Sequence, residues 1–436
     1  MEWVLNSRGN CHKEFNFWKE ACLKEGIMMI KRISAINIAL TLAVMIVVPA
    51  GAGAGAKIPA PKGPYPVGAR LEHIPYQGRE MAIIVWYPAR AEAGAKAYPY
   101  IGKVQGQALA DAPLDDKGAP YPLILFSHGM GGCGTQSIFY TENLASFGYV
   151  VVAPDHEDSA MCHLDREPDI TPGQIAWAAV KSGGNLSGSV FALFGDRFKE
   201  TGFDFSYRPD EAKAAIDQAL HWNGDQSSFL YSKIAPDRIG VTGHSLGGFT
   251  SLMVGGVPFF CDQPEDQNPE GCDFEKLDLD RIPNPCCLDY VRNSNPYQSR
   301  DPRVKAILPL GPAAFFPHLD RAAAEIKIPV MIITGDNKSM EVPWDPIWTF
   351  YEHAPAPKYV LRLKKTDHMT IADMTLNVSA AGWVLPGFRS HFAEKAQAYQ
   401  DYSVAFFNKY LKGDNSGEAV LTKPENKFVE LWHQEP

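Results

Sequence analysis

One ten-residue segment constrains the fold of this chain more than any other. Residues 239–248 read Ile-Gly-Val-Thr-Gly-His-Ser-Leu-Gly-Gly, a Gly-x-Ser-x-Gly pattern centred on Ser245. An apolar, strand-like run leads into the pattern, and a helix-forming run leaves it. Flanking glycines permit a sharp strand-to-helix turn, because larger side chains there would collide with neighbouring backbone. The segment therefore predicts a serine on a tight turn at the end of a strand.

A glycine-rich turn of a nucleotide-binding unit is the alternative interpretation of this segment. Such a turn requires Gly-Lys-Ser/Thr or Gly-x-Gly-x-x-Gly, and neither pattern occurs in residues 239–248. The segment therefore favours a nucleophilic serine over a phosphate-binding loop.

Short apolar strands alternate with helical stretches on both sides of Ser245. Strands are predicted at 71–74, 81–87, 122–127, 149–153, 238–242, 304–310, 329–334 and 358–363. Helices are predicted at 137–147, 210–222, 247–254 and 391–411. Such alternation is typical of a mainly parallel sheet with helices on both faces. Together with the serine turn, it predicts an α/β protein of the α/β-hydrolase fold.

A serine hydroxyl is a poor nucleophile until a base takes its proton, and in this fold the partners follow in the chain order serine, acid, histidine. His368 directly follows the predicted strand 358–363, and Asp336 follows the strand 329–334. We therefore predict Ser245 as nucleophile, His368 as general base and Asp336 as the carboxylate that orients the histidine. Asp345 and Asp320 are the alternative acids. Asp367 is expected to be a turn residue, and His353 and His391 are expected to be helical surface or core residues.

Backbone N–H groups must also face the oxygen that becomes negative during acyl transfer. One is expected from Leu246, the residue after the serine. The other is expected from residues 127–132, Ser-His-Gly-Met-Gly-Gly, where flanking glycines place the N–H of Met130. The alternative for residues 127–132 is a plain turn.

Two longer segments resemble a known family. Residues 121–130 (Tyr-Pro-Leu-Ile-Leu-Phe-Ser-His-Gly-Met) and 143–156 (Asn-Leu-Ala-Ser-Phe-Gly-Tyr-Val-Val-Val-Ala-Pro-Asp-His) are similar to plasma-type platelet-activating-factor acetylhydrolases and their dienelactone-hydrolase-like bacterial relatives. Residues 243–248 and 368–373 resemble the same family, and the resemblance extends over about residues 63 to 411. It implies hydrolysis of short or oxidised acyl esters without metal or cofactor. It also implies Met130 and Leu246 as the oxyanion donors.

The chain departs from that family at the acid. In the acetylhydrolases the carboxylate follows the preceding strand, where this chain has Leu-Pro-Leu-Gly-Pro-Ala-Ala at 308–314. We expect the acid at Asp336 instead, and this weakens the transfer of the acetylhydrolase substrate. Amide or thioester cleavage, and a non-catalytic binding protein that kept the fold, remain alternatives to ester hydrolysis.

Charge and ligand spacing argue against other classes of partner. The formal net charge of -9 disfavours nucleic acid, which needs a basic face. Possible metal ligands cluster in one loop, at His156, Glu157, Asp158, Cys162 and His163. No second pair at recognisable spacing accompanies them, so we predict no metal and no cofactor. The expected partner is a small-molecule or lipid ester substrate, without nucleic acid.

The first 56 residues differ from the rest. Lys31 and Arg32 precede an apolar run at 33–48 and a small-residue segment at 49–56, which is the layout of a secretory signal peptide. We expect residues 1–56 to be a leader cleaved near Ala56, which makes the protein secreted or periplasmic. The alternatives are a membrane anchor, through which the chain would associate with a membrane, and a buried helix. Residues 57–436 form the predicted hydrolase domain.

Two segments interrupt the alternation, at about 170–206 and 258–301, and we interpret them as cap-like insertions or surface excursions. Cys261 and Cys272 share the second insertion and are the disulfide pair we expect; free thiols are expected if export is wrong. Aromatic residues could line the mouth of a site for aryl or polyester substrates, or lie in the core: Phe315, Phe316, Trp344 and Trp348.

Overall fold

The computed structural model describes residues 58–102, 104–181, 193–194, 204–267, 286, 291, 295–313, 316–336, 344–373 and 392–436. Within them, ten strands form one sheet. The strands are β1 Val67–Tyr76, β2 Arg79–Pro88, β3 Leu109–Ala110, β4 Tyr121–Ser127, β5 Val150–Pro154, β6 Ile234–His244, β7 Val304–Leu310, β8 Val330–Gly335, β9 Lys358–Leu363 and β10 Val429–Gln434. Across the sheet they lie in the order β10-β9-β8-β7-β6-β4-β5-β2-β1-β3.

The middle of the sheet is parallel. β4 pairs in parallel with β5 and β6, and parallel pairing continues from β6 through β7 and β8 to β9. Antiparallel pairing joins β2 to β1 and β5, and β10 to β9. Since β4, β6, β8 and β9 run in one direction, their carboxyl ends lie along one side of the sheet. The predicted site residues all follow these four ends.

Helices cover both faces of the sheet. They are α1 Ile138–Ser146, α2 Pro172–Lys181, α3 Tyr207–Gly224, α4 Leu246–Gly255, α5 Leu319–Ala323, α6 Trp344–His353, α7 Phe392–Phe407 and α8 Glu418–Thr422. α1 and α7 bury their apolar side chains in the core on one face, and α3 and α4 in the core on the other. A parallel strand covered on both faces reads as a continuous apolar run, as β5 does. The predicted fold class, an α/β-hydrolase fold with a mainly parallel sheet, is confirmed.

Most predicted elements are present with shifted ends. The strands predicted at 304–310 and 358–363 coincide with β7 and β9, and the helix predicted at 391–411 is α7 with a π-helical continuation at Asn408–Lys412. The sequence pattern predicted no element after residue 411 and so missed β10. β10 is an edge strand that pairs only with β9 among the described strands. Its residues become more exposed along the strand, so its sequence shows neither the alternating nor the continuous apolar pattern of a buried strand.

The predicted disulfide pairing is wrong. Cys261 is bonded to Cys286, not to Cys272, and a second disulfide joins Cys133 to Cys162. The Cα atoms of Cys261 and Cys286 lie 5.5 Å apart, within the range that a disulfide spans. Cys272 lies outside the described residues. Closeness in sequence misled the prediction, because pairing depends on where the folded backbone brings the sulfur atoms.

The leader predicted at 1–56 lies outside the described residues, and both predicted insertions lie only partly within them. The first insertion contains α2, and the second contains a 3-10 turn at Pro264–Gln267. Among the described residues there is no helix with the length and apolar character needed to cross a membrane.

Candidate active site

The Gly-x-Ser-x-Gly segment forms the turn between β6 and α4, and we call residues 243–247 the serine turn. Ser245 has φ 56° and ψ -114°, a conformation that residues with side chains rarely adopt. A Cβ on Gly247 would lie 1.9 Å from the carbonyl oxygen of Ser127, and one on Gly243 would lie 2.5 Å from the same atom. The close approach of β4 therefore requires glycine at both positions.

Ser245 is the accessible residue of this stretch. Every other residue from 241 to 250 is buried, whereas Ser245 remains partly exposed. Its N–H donates to the carbonyl of Leu310 at 2.9 Å, and its carbonyl accepts from the N–H groups of Phe249 and Ala313 at 3.0 and 3.2 Å. The main chain at Ser245 is thus held on both sides, while the residue keeps some exposure to solvent.

The loop that follows β4, residues 128–132, lies against the serine turn, and we call it the glycine loop. A Cβ on Gly129 would lie 3.5 Å from the Cβ of Ser245. Within the described part of the chain, the N–H groups of Met130 and Leu246 have no protein acceptor. The N–H groups of the three glycines in the loop, in contrast, each have an acceptor. The acceptors are Oε1 of Gln136 for Gly129, Oδ2 of Asp158 for Gly131 and the carbonyl of Gly129 for Gly132. Met130 and Leu246 therefore retain the donors that an oxyanion needs.

A chain of buried side chains links the glycine loop to the serine turn and to His368. Gln136 accepts from the N–H of Gly129 at 2.8 Å, and its Nε2 donates to Nδ1 of His244 at 2.9 Å. Nε2 of His244 then donates to the carbonyl of His368 at 2.8 Å. Because the amide can only donate to Nδ1, His244 is a neutral imidazole with its proton on Nε2. Burial also lowers the pKa of His244 well below its usual value.

His368 lies beside the serine turn. Its ring centroid is 4.5 Å from that of His244, the residue before Ser245. Its Nδ1 is buried and has no hydrogen-bond partner among the described residues. Burial lowers the pKa of His368 to about 4. The imidazole is therefore neutral at pH 7, the form in which it can accept a proton.

Asp336 follows β8 and contacts the loop that carries His368, residues 365–373, which we call the histidine loop. Its N–H donates to the carbonyl of Thr366 at 3.1 Å, and its Oδ1 lies 3.4 Å from the N–H of Thr366. A Cβ on Gly335 would lie 2.1 Å from the same carbonyl oxygen, so the close approach requires glycine. The half-buried carboxylate of Asp336 thus lies beside Thr366, two residues before His368 in the chain. The side chains of Asp336 and His368 are not hydrogen-bonded to each other.

The histidine loop is held at both ends by buried ionisable side chains, those of Asp373 and Lys395. Oδ2 of Asp373 accepts from the N–H of Phe139 at 2.8 Å, in the first turn of α1. Nζ of Lys395, on α7, donates to the carbonyl of Lys365. Lys395 is 1% exposed, and burial lowers its pKa. These contacts hold the two ends of the histidine loop against α1 and α7.

The other candidates from the sequence lie elsewhere. Asp320 and Asp345 are exposed in the first turns of α5 and α6, and His353 is exposed at the end of α6. Asp367 accepts from the N–H of Met369 at 3.0 Å, as expected of a turn residue. His391 lies outside the described residues.

The aromatic candidates separate into two groups. Phe316 is buried against Phe249, with ring centroids 4.8 Å apart, so it belongs to the core. Trp344 and Trp348 pack around Trp432 of the edge strand β10, four strands away from β6. Phe315 lies outside the described residues.

Three of the possible metal ligands in the loop after β5 have other partners. Cys162 is in a disulfide, Asp158 pairs with Arg208 at 2.6 Å, and His156 bonds to Ser127 and Glu211 at 2.8 Å each. In the described ranges no group of three or more His, Cys, Asp or Glu side chains could hold a metal ion.

Sequence reasoning missed three buried groups beside the site: Gln136, His244 and Arg208. His244 stands in the variable position of the Gly-x-Ser-x-Gly pattern, and Arg208 stands two residues before a predicted helix. Arginine at a helix start is ordinarily exposed, so the residue type carried no signal of burial.

The fold and the site geometry together define a class: this is a protein of the α/β-hydrolase fold. Within that class it resembles the platelet-activating-factor acetylhydrolases. The family model described as "Platelet-activating factor acetylhydrolase, isoform II" matches residues 95–177, which include the glycine loop but not the serine turn.

Two curated relatives support the resemblance. The chain is 28% identical to platelet-activating factor acetylhydrolase of Cavia porcellus over 158 residues, and 30% identical to that of Canis lupus familiaris over 162 residues. These segments cover 35% and 36% of this chain and 36% of each relative. The match thus spans about a third of the length of each relative.

A solved structure extends the similarity to most of the fold. Ferulic acid esterase from Streptomyces cinnamoneus superposes with a TM-score of 0.54 and 19% identity, covering 88% of this chain and 100% of the esterase. At this identity the match supports the fold alone.

Proposed function

We propose that this protein is a carboxylic ester hydrolase in which Ser245 is the nucleophile. One observation carries the proposal: Ser245, strained and partly exposed, lies beside two unoccupied N–H groups, those of Met130 and Leu246, and beside the loop of His368. Strain at a residue with φ above zero persists only where surrounding structure enforces it, and it is common at catalytic positions. The similarity to acetylhydrolases points to esters rather than amides.

The proposed reaction proceeds through an acyl-enzyme. The hydroxyl oxygen of Ser245 attacks the ester carbonyl while neutral His368 takes its proton. The N–H groups of Met130 and Leu246 donate to the carbonyl oxygen as it becomes negative, a contribution of about 3 kcal/mol per donor. Protonated His368 then returns its proton to the departing alcohol, and a water molecule releases the acyl group by the same steps in reverse order.

We propose that Asp336 orients His368 during this cycle. Nδ1 of His368 is buried without a hydrogen-bond partner among the described residues. An unsatisfied buried polar atom costs free energy, so an acceptor that reaches Nδ1 would be stabilising. The carboxylate of Asp336 already contacts the N–H of Thr366, two residues away in the chain. A hydrogen bond from Nδ1 to this carboxylate would select the tautomer in which Nε2 can accept the serine proton.

The substrate class we propose is a short acyl ester. Both curated relatives carry the name acetylhydrolase, and the glycine loop that precedes Ser245 is within the region matched by their family model. Phe194 restricts the space above this loop, because a Cβ on Gly131 would lie 2.3 Å from its ring. A short acyl group needs little room beside the oxyanion position.

The test is hydrolysis of p-nitrophenyl esters from acetyl to palmitoyl by the full chain. We expect activity that is highest on acetyl and butyryl esters, and a loss of at least about 10⁴-fold in kcat for Ser245→Ala. Ser227→Ala is the matched control, since Ser227 is exposed on a loop before β6.

Activity that survives in Ser245→Ala would contradict the assigned nucleophile. Cleavage of p-nitroanilides in preference to esters would contradict the ester class, and a preference for palmitoyl would contradict the short-acyl proposal.

We also propose that the protein is exported. Disulfides persist in oxidising compartments, and two of them occur in the described residues. The leader pattern at residues 31–56 supports the same location.

A further inference from the structure

A fully buried ion pair lies under the glycine loop. Arg208 lies in the first turn of α3 with its side chain 0% exposed, and its Nη2 lies 2.6 Å from Oδ2 of Asp158. Nη1 of Arg208 donates to the carbonyl of His128 at 2.7 Å, and Nη2 lies 3.3 Å from the carbonyl of Gly129. Oδ2 of Asp158 accepts from the N–H of Gly131 at 2.8 Å. The pair thus holds the backbone on both sides of Met130.

Stability alone does not account for this pair. Removing two charges from water costs several kcal/mol per ion, and the attraction between them repays this only when their remaining polar atoms are satisfied. Nε of Arg208 and Oδ1 of Asp158 are buried and have no partner among the described residues. What the pair does achieve is geometric, because a guanidinium is a rigid planar donor that can bond two carbonyls at once.

A second set of buried groups supports the same loop. Ser127 bonds to Nε2 of His156, and Nδ1 of His156 bonds to Glu211, both at 2.8 Å. The order serine, histidine, carboxylate resembles a catalytic triad, but the side chains of His156 and Glu211 are 0% exposed and Ser127 is buried. No substrate reaches them. Nη1 of Arg208 lies 3.4 Å from Oγ of Ser127. The buried groups Ser127, His156 and Glu211 therefore pack next to the guanidinium group of Arg208.

We infer that Arg208 and Asp158 are positioning residues for the oxyanion hole, and that they act by fixing the peptide units on either side of Met130. The inference deepens the proposed function and rests on it. Neither residue touches the substrate. If the pair is weakened, we expect the N–H of Met130 to leave the proposed oxyanion position beside Ser245, so that transition-state stabilisation falls while substrate binding does not.

The experiment compares Arg208→Lys and Asp158→Asn with the wild type in the full chain. Lysine keeps the charge but loses the planar fork, and asparagine keeps the shape and one oxygen acceptor but loses the charge. Arg303→Lys is the matched control, because Arg303 also forms an ion pair, with Asp301 at 2.6 Å, before β7. Active sites are titrated with a fluorophosphonate, so that rates are expressed per competent Ser245 and misfolded protein does not count.

We expect kcat on p-nitrophenyl acetate to fall by about 10- to 100-fold per titrated site in both variants, with KM within about two-fold. The inhibition constant of a trifluoromethyl ketone, whose adduct with Ser245 carries an oxyanion, should rise by the same factor. A purely structural role would lower the number of titrated sites and leave these two quantities unchanged. Arg303→Lys should match the wild type.

Wild-type values of kcat per site and of the ketone constant in both variants would overturn the inference and leave the proposed function intact. An equal loss in Arg303→Lys would overturn it too. A wild-type protein that neither cleaves the ester nor reacts with the fluorophosphonate would overturn the proposed function, and the inference with it.

Discussion

At the scale of single residues, the site depends on buried polar groups with defined protonation. Gln136 and His244 connect the glycine loop to the carbonyl of His368, and each donor in this chain has one acceptor. Burial lowers the pKa values of His244 and His368, so both rings stay neutral at pH 7. A neutral His244 can donate to the carbonyl of His368 without repelling the positive charge that His368 gains in the proposed reaction.

The role of Asp336 is tested at the same scale. Asp336→Asn removes the charge that would stabilise protonated His368 and favours the wrong tautomer, so we expect kcat on p-nitrophenyl acetate to fall by about 10³- to 10⁴-fold. The matched controls are Asp320→Asn and Asp345→Asn, since both carboxylates are exposed on helices. A large loss in either control, with Asp336→Asn near wild type, would reassign the acid.

At the scale of elements, the strand–turn–helix unit of β6 and α4 determines where Ser245 lies. The unit is compressed against β4, and the two glycines of the serine turn face the carbonyl of Ser127. Parallel pairing of β4 with β6 brings these backbones together, with Ser127 in register with Gly243. The strain at Ser245 is therefore maintained by sheet packing rather than by local sequence alone.

Replacing Gly247 by alanine tests this packing. The added methyl would lie 1.9 Å from a backbone oxygen that cannot move without displacing β4, so we expect a loss of about 3 kcal/mol or more in unfolding free energy. Gly224→Ala is the control, because a methyl at Gly224 would meet no atom within 4 Å and should change stability by less than about 0.5 kcal/mol. Chemical denaturation measures both, and equal stabilities would contradict the packing argument.

At the scale of the whole molecule, one sheet collects the site residues from distant parts of the chain. The ends of β4, β6, β8 and β9 supply the glycine loop, Ser245, Asp336 and His368. The disulfide Cys133–Cys162 ties the segment after the glycine loop to the loop after β5, which carries Asp158. A reducing compartment would break this tie, so the location of the protein bears on the geometry of its site.

Export is tested on the full chain in a bacterial host. We expect the protein in the periplasmic fraction, with a new N-terminus at Lys57, and we expect Cys133, Cys162, Cys261 and Cys286 to resist alkylation until the disulfides are reduced. Val44→Lys interrupts the apolar run and should keep the protein in the cytoplasm, uncleaved. An intact N-terminus in the membrane fraction would favour the anchor instead, and wild-type protein in the cytoplasm would contradict export.

The sequence by itself determined the features that depend on neighbouring residues. These features are the Gly-x-Ser-x-Gly turn, the buried parallel strands and the glycine loop. Each can be predicted from a contiguous segment, because backbone sterics and burial on both faces act locally. Only the tertiary structure decided which distant groups meet: Cys286 rather than Cys272 with Cys261, Asp336 beside Thr366, and Arg208 beneath Met130. Residue type does not reveal burial or partner for a charged or sulfur-containing side chain, since both depend on how helices and loops far apart in the chain pack on the sheet.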